Sequence, residues 1–318
     1  MLIRYIDDLN RTDDSLFRVL ALGNFDGLHR GHQHLLRYTA QTALKFGLRP
    51  TALIFEPHPQ EVLRPGTPFY LLTLPEQRAQ MMASLGIEEL LIARFDEQLS
   101  GLTPRQFVEK IIINLCHAKA VCVGADYHFG KDGKGNVSLL RRLGYECNVH
   151  VEEMPLLKDK DIVVSSSIVR SALLNGNLEK ANNLLGYPFT MVGEVIHGQS
   201  LGRTMGFPTA NLEIDKRCLL PQKGVYFGEA LLGKETYFCL VNIGHKPTFT
   251  NTQEITIEAH LLDFEGDLYG SRLALKLKQY LRPELFFTSA DLLKVQLSKD
   301  LEQAREMINK EKKEANSP

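Results

Sequence analysis

Two histidines three positions apart, His29 and His32, sit in "GNFDGLHRGHQHLL" (Gly23–Leu36), a stretch that also holds three glycines and an aspartate. Once a helix has begun, imidazoles at that spacing share a face. There they can donate hydrogen bonds to nucleotide phosphates as charge develops during displacement at phosphorus. Gly23, Gly27 and Gly31 allow a tight turn and close approach of the backbone to an anion. Two other readings stand beside this one. The first is a loop of small residues with incidental surface histidines. The second is a zinc site, for which the only nearby additional ligands are His34 and Asp26.

Three further segments have the residue types for phosphate chemistry. In "VSSSIVRSALLNG" (Val164–Gly176), Ser165, Ser166 and Ser167 precede a helical pattern containing Arg170. Hydroxyls, helix-terminal amides and a guanidinium could converge there on a triphosphate, or the segment is a capped helix with a surface arginine. In "HGQSLGRTMGFPTANLEI", Gly198, Gly202 and Gly206 make a loop that Pro208 ends just before Thr209 and Asn211. Those two side chains point to one side of an extended chain and suit a cation such as magnesium shared with a nucleotide phosphate; the alternative is a turn followed by a strand edge. In "ITIEAHLL", Ile255, Ile257, Ala259 and Leu261 alternate with Thr256, Glu258 and His260, so an inward apolar face forces Glu258 to the polar side. A strand glutamate is either simply solvated or a base for an alcohol.

Those residues need elements to position them. Short apolar runs ("RVLALG", "TALIF", "ELLIARF", "AVCVG") alternate with helical patterns ("HQHLLRYTAQTALKFG", "PEQRAQMMASLG", "TPRQFVEKIIINLC") up to about residue 185. Apolar strands separated by helices indicate a doubly wound α/β domain with a parallel sheet buried on both faces. Thr103 followed by Pro104 reads as a helix cap and first-turn pair. In such sheets ligands bind beyond the carboxyl ends of the strands, which is where "GNFDGLHRGH" falls. After "LLGYPFT" the runs become β-prone, closely spaced and punctuated by glycine, which predicts an antiparallel β-barrel closed by the amphipathic helix "SADLLKVQLSKDLEQAREMI". The expected domains are 1–185 and 186–318, with "NKEKKEANSP" as a frayed tail.

Bulk properties exclude several classes. The chain has 318 residues, 44% hydrophobic and 24% charged, with a formal net charge of −1, which argues against affinity built on neutralising a nucleic-acid backbone. Five cysteines without a CxxC pair fit a reducing cytosol, and no run approaches the length of a membrane span. The expectation is a cytoplasmic protein with no nucleic-acid or membrane partner, monomeric or weakly self-associating. The glycines at 124, 130, 133 and 135 form neither a GxGxxG fingerprint nor a P-loop, and by themselves read as a flexible surface loop.

Taken together, Gly23, Phe25, Asp26, Gly27, His29, Gly31 and His32 resemble the HxGH signature of the nucleotidyltransferase superfamily. "FEPHP", "GADYHFGKDGKGN" and "VSSSIVRSALLNG" resemble the matching elements of bacterial FAD synthetases, with Ser167 and Val169 standing where the usual SSTxIR form has threonine and isoleucine. "GFPTAN" resembles the PTAN motif of riboflavin kinases, accompanied by "KGVY", "NIGHKPTF", "IEAHLLDFEGDLYG" and "YLRPE". The resemblance implies a bifunctional riboflavin kinase and FMN adenylyltransferase. Its substrates and products would be riboflavin, FMN, FAD and ATP, with Mg2+ or another divalent cation.

It also implies roles. His29, His32 and Arg170 would serve adenylyl transfer, with Gly23, Phe25, Asp26, Gly27, Gly31 and Ser165–Ser167 around the nucleotide. Asp126 and Phe129 would lie on the flavin side of that pocket. In the second half Gly198, Gly202 and Gly206 would approach nucleotide, Thr209 and Asn211 would hold the metal, and Glu258 would be the catalytic carboxylate. Lys223, Gly224, Tyr226 and Arg282 would lie near flavin, Arg282 alternatively capping its strand. Two rival readings stay open. One is another HxGH enzyme such as a class I aminoacyl-tRNA synthetase, for which no KMSKS-like loop is evident; the other is a flavin-binding or flavin-sensing protein without turnover.

Overall fold

A computed structural model describes residues 1–6, 16–198, 206–245 and 255–315. Gly202 and the part of "NIGHKPTF" after His245 therefore lie outside the described residues. The chain forms two compact units, 1–166 and 167–318.

The first unit is a six-stranded, wholly parallel sheet in the order β1-β4-β3-β2-β5-β6. Its strands are β1 (Leu2–Ile6), β2 (Arg18–Leu22), β3 (Arg49–Glu56), β4 (Glu89–Arg94), β5 (Ala118–Gly124) and β6 (His150–Met154). The helices between them are α1 (Arg30–Phe46), α2 (Pro59–Leu63), α3 (Pro75–Ser84), α4 (Glu97–Ser100), α5 (Pro104–Phe107), which continues as π-helical turns over Val108–Leu115, and α6 (Val137–Glu146). Separate apolar layers cover the two sheet faces: Leu20, Leu53, Leu91 and Val121 belong to one, Val19, Ala52, Leu90 and Ala120 to the other. That explains why the central strands read as unbroken apolar runs. Thr103 caps α5 as expected, in a capping box closed by Gln106.

At the amino ends of the strands Arg18 and Glu89, both without exposed side-chain surface, pair at 2.6 Å, and Thr51 donates its hydroxyl to the same carboxylate at 3.0 Å. Such a pair is costly to break because the survivor is left charged and dry. β1 and β6 were not legible as strands. Both lie at sheet edges, where β1 exposes most of its residues and β6 is only partly covered, so neither shows the apolar run of a central strand.

The second unit begins one residue into α7 (Ser166–Leu174) and continues with α8 (Leu178–Leu185) and the strands β9 (Phe189–Ile196), β10 (Ala210–Ile214), β11 (Gly224–Leu232), β12 (Glu235–His245), β13 (Ile255–Leu261) and β14 (Arg272–Arg282). A short hairpin of β7 (Lys158–Asp159) and β8 (Ile162–Val163) precedes α7 and belongs to the first unit. The six long strands close into an antiparallel barrel in the order β10-β13-β12-β11-β14-β9. Asn182 of α8 fastens to it, donating to the Leu277 carbonyl at 2.9 Å and accepting from the Phe189 amide at 2.8 Å.

The helix α9 (Ala290–Ala315) lies against the outside of the barrel, its Ala304 and Ile308 packing on Val225, Phe227 and Leu240. It runs through most of the segment expected to fray. Lys278 of β14 reaches Glu311 at 2.5 Å, which holds the last turns to the barrel. No helix among the described residues is long and apolar enough to cross a membrane, and all five cysteines are free.

Candidate active sites

The order in which strands are added to the parallel sheet reverses at β2. From β2 the order runs through β3 and β4 to one side, and β5 lies on the other. This is the switch point at which open α/β sheets leave a crevice beyond their carboxyl ends. Two of the predicted segments begin there: "GNFDGLHRGH" follows β2 directly, and "GADYHFGKDGKGN" starts at the last residue of β5.

The first loop is held in a strained shape. Phe25, Gly27 and Leu28 have φ values of 53°, 75° and 30°. Burial of Phe25 and Leu28, at 1% and 0% exposure, anchors the two non-glycine outliers in the core. The strand-to-helix turn is also braced from a segment 46 or more residues away. The amides of Leu72 and Thr73 donate to the Asp26 carboxylate at 3.0 Å, Thr73 accepts from the Gly27 amide at 2.9 Å, and Arg78 donates to the Asn24 carbonyl at 2.7 Å. Asp26 thus spends its carboxylate on the turn rather than presenting it as a metal ligand. Ser166 adds a hydrogen bond to the Asp26 carbonyl at 2.8 Å.

His29 is the N-cap of α1: its Nδ1 accepts from the His32 amide at 3.2 Å. Accepting there leaves the proton of the neutral ring on Nε2. Gly31 makes room, since a Cβ at that position would come within 3.2 Å of His29 Nδ1. The rings of His29 and His32 stack at 3.6 Å, and Phe25 meets His32 edge-on. Burial lowers the His29 pKa to about 4. Burial, then the neighbouring charges of His29 and Arg78, push His32 well below its ordinary value. Both imidazoles are therefore neutral donors at neutral pH. His32 Nδ1 is buried and without a hydrogen-bond partner, which marks a polar atom that a ligand could satisfy.

Asp126 is exposed just beyond β5, whereas Phe129 is 5% exposed and part of the core. Phe129 can shape the floor of a pocket but presents little surface. Ser165 and Ser166 are half-buried and Ser167 exposed at the start of α7; Arg170 is half-buried on the same helix, within the second unit.

In the barrel, strand register builds the second constellation. Glu258 lies directly opposite Asn211 on β10 and Asn242 on β12. Opposed residues point to one face. Asn242 is two residues from Leu240, which packs under α9, so the row Asn211–Glu258–Asn242 stands on the outside of the barrel wall. Ile257, Ala259 and Leu261 fill the interior, as the alternation predicted. Burial raises the Glu258 pKa, making it a better proton acceptor than a solvated glutamate.

Gly198 is a cradle for Asn211, because a Cβ there would collide with the amide nitrogen. Thr209 is half-buried immediately before β10, and Gly206 has φ 85° with open space around it. By residue type, a threonine hydroxyl, an asparagine amide oxygen and a carboxylate across the ladder would make a sparse all-oxygen set. Such a set suits a magnesium ion that keeps most of its ligands from water and nucleotide phosphates. Among the described residues no group of three or more histidine, cysteine, aspartate or glutamate side chains could hold a metal, so the zinc reading of the histidine loop has no support.

The remaining residues lie near the barrel rim. Lys223 contacts His245 Nε2 at 2.5 Å, and Glu284 accepts from the His245 amide at 2.9 Å. Gly224 (φ 148°) lets β11 approach β14, since a Cβ would sit 2.5 Å from the Arg282 carbonyl. Tyr226 is fully buried, its hydroxyl donating to the Gln222 carbonyl. Arg282 pairs with Asp300 of α9 through Nε at 2.9 Å and a terminal nitrogen at 2.7 Å, and donates to the Pro283 carbonyl. The guanidinium therefore ties the end of β14 to α9. Sequence reasoning missed Leu72, Thr73 and Arg78, which brace the histidine loop, and Asn242, which completes the row around Glu258. Only Asn242 had a usable signal, its place within "NIGHKPTF".

Comparison with known proteins matches this division. Residues 13–168 match the family model for FAD synthetase, and residues 185–308 the model for riboflavin kinase. A Listeria monocytogenes protein named bifunctional riboflavin kinase/FMN adenylyltransferase is 39% identical over 299 residues, covering 92% of this chain and 93% of its own. The Escherichia coli K12 protein of the same name is 37% identical over 291 residues, covering 91% and 92%. A solved structure described as a macrolide-efflux protein from Streptococcus pneumoniae superposes with a TM-score of 0.88 at 32% identity, over 96% of this chain and 99% of that one. With a parallel-sheet unit matching FAD synthetases, a barrel matching riboflavin kinases, and full-length relatives that join the two, the chain belongs to the bifunctional riboflavin kinase/FMN adenylyltransferase family.

Proposed function

We propose that the barrel transfers the γ-phosphoryl group of ATP to the terminal ribityl hydroxyl of riboflavin, giving FMN and ADP. The parallel-sheet unit then adenylylates FMN: an oxygen of the FMN phosphate attacks the α-phosphorus of a second ATP, and pyrophosphate leaves. Neither step uses a protein nucleophile, because the substrate supplies the attacking oxygen and the protein supplies positioning and charge stabilisation.

In the kinase step Glu258 orients the ribityl hydroxyl and takes its proton. Thr209 and Asn211 would hold Mg2+, which would neutralise charge on the transferring phosphate, and Asn242 stands across the ladder from Glu258. Lys223 and Gly224 border the flavin. Tyr226 and Arg282 act from behind, by packing and by anchoring β14. In the adenylylation step the Nε2–H of His29 and a ring nitrogen of His32 donate to phosphate oxygens. Gly23, Gly27 and Gly31 bring backbone amides close, Ser165–Ser167 and Arg170 bind the polyphosphate, and Asp126 contacts flavin. The adenylyltransferase portion extends to residue 185 because the serine–arginine segment serves it, although α7 and α8 pack with the barrel. We place the protein in the cytoplasm, where ATP and reduced thiols are found.

The observation that carries this reading is the row Asn211–Glu258–Asn242. It sets a base with raised proton affinity beside a magnesium-type donor pair on one face of the barrel wall. The test is to incubate the purified chain with riboflavin, ATP and Mg2+ and separate the flavins by chromatography over time. FMN should appear first and be replaced by FAD. Tight flavin binding with no product would support a sensor instead.

A further inference from the structure

His260 stands two residues beyond Glu258 on β13, on the same outer face of the barrel, and opposite Leu240 of β12. Its Nδ1 lies 2.8 Å from the carbonyl oxygen of Pro208, and its ring meets Phe207 edge-on at 5.8 Å between centroids. A carbonyl can only accept, so Nδ1 carries the proton, which fixes the tautomer of the ring.

That carbonyl belongs to the peptide leading into Thr209. The β10–β13 ladder begins at Ala210, opposite Ala259, so Thr209 lies just outside it. Pro208 has no N–H with which to extend the pairing. The peptide joining Pro208 to Thr209 is planar, so fixing the Pro208 oxygen fixes the plane from which Thr209 departs. His260 thereby supplies the hydrogen bond that a further ladder residue would otherwise have made, from the strand that also bears Glu258.

We propose that His260 is a positioning residue of the kinase site: by clamping the Pro208 carbonyl it holds Thr209 in line with Asn211 and Glu258, and so sets the affinity for the divalent cation. This rests on the kinase reading above. Outer partners of metal-binding groups typically change metal affinity by 10- to 100-fold when removed.

The test compares His260→Asn, whose amide places an N–H donor where Nδ1 stands, with His260→Gln, whose donor lies one carbon farther out, and His260→Ala. In the full-length protein, riboflavin phosphorylation is titrated with Mg2+, and adenylylation of supplied FMN is the control for folding. Long-range 1H–15N spectra of the uncomplexed protein report the tautomer. The Ala and Gln variants should need roughly ten-fold more Mg2+ for half-saturation with adenylylation unchanged. The Asn variant should stay within about two-fold of the parent, and His260 should appear as the Nδ1–H form. An Nε2–H ring, equal behaviour of Asn and Gln, or an unmoved Mg2+ requirement in the Ala variant would overturn the inference. A parent chain that phosphorylates no riboflavin would instead refute the kinase reading, and the tautomer would still report on the clamp.

Discussion

At the crest of the parallel sheet two stacked imidazoles are kept neutral by burial, and each has one N–H to offer a developing negative charge. On the barrel wall burial raises the proton affinity of a carboxylate, which makes it an acceptor. The difference matches the two nucleophiles. The phosphate of FMN is ionised before it attacks, so adenylyl transfer needs charge stabilisation and no base. The ribityl hydroxyl is neutral, so the kinase must remove a proton. In the proposed mechanism one physical effect, desolvation, acts on opposite kinds of side chain and serves opposite demands.

The largest effect is expected at Glu258. Glu258→Gln should lower riboflavin phosphorylation by about 10²–10⁴-fold, the usual worth of a positioned base, while supplied FMN is still converted to FAD at the parental rate. Separating the flavin products of each half-reaction checks both parts.

The reciprocal experiment replaces His29 and His32 with alanine. Adenylylation should fall by about 10²–10³-fold with riboflavin phosphorylation intact. Equal loss of both activities would contradict the division of labour.

A third change tests whether the units are separately stabilised. Glu89→Ala removes the carboxylate that faces the buried Arg18 guanidinium, leaving it the neutral carbonyls of Leu16 and Cys116, and should cost about 3–5 kcal/mol in the unfolding of the first unit. The barrel transition in the same denaturant titration should not move.

The smallest expected effect concerns pH. The His29 pKa is about 4 in the folded unit and near 6.5 when unfolded, so the unfolded chain binds more protons between those values. Its contribution is fully present above pH 6.5 and is lost as pH falls toward 4, about 3 kcal/mol in all. His29→Asn should flatten that part of the stability profile of the first unit.

How much of this was legible depended on distance along the chain. The histidine loop, the Thr103–Pro104 cap and the alternation around Glu258 are local patterns, and the structure forms each of them. The braces from Leu72, Thr73 and Arg78 are not local. A buried helix arginine that supports a loop 54 residues away looks in sequence like any surface arginine. The cross-strand partners of Asn242 and His260 come from strand register, which alternation restricts to a face but does not align with a partner. β1 and β6 were missed because edge strands lack the continuous apolar run that marks central ones.

The contrast between donor imidazoles and an acceptor carboxylate is tested most directly by pH–rate profiles of the two half-reactions, measured on the same preparation with saturating substrates and short assays. Riboflavin phosphorylation should decline first on acidification, with an apparent pKa above the ordinary carboxylate value as Glu258 takes up its proton. FMN adenylylation should show no imidazole titration near 6.5 and hold until the pH approaches about 4. Profiles that fall together, or an adenylylation limb with a pKa near 6.5, would contradict the account.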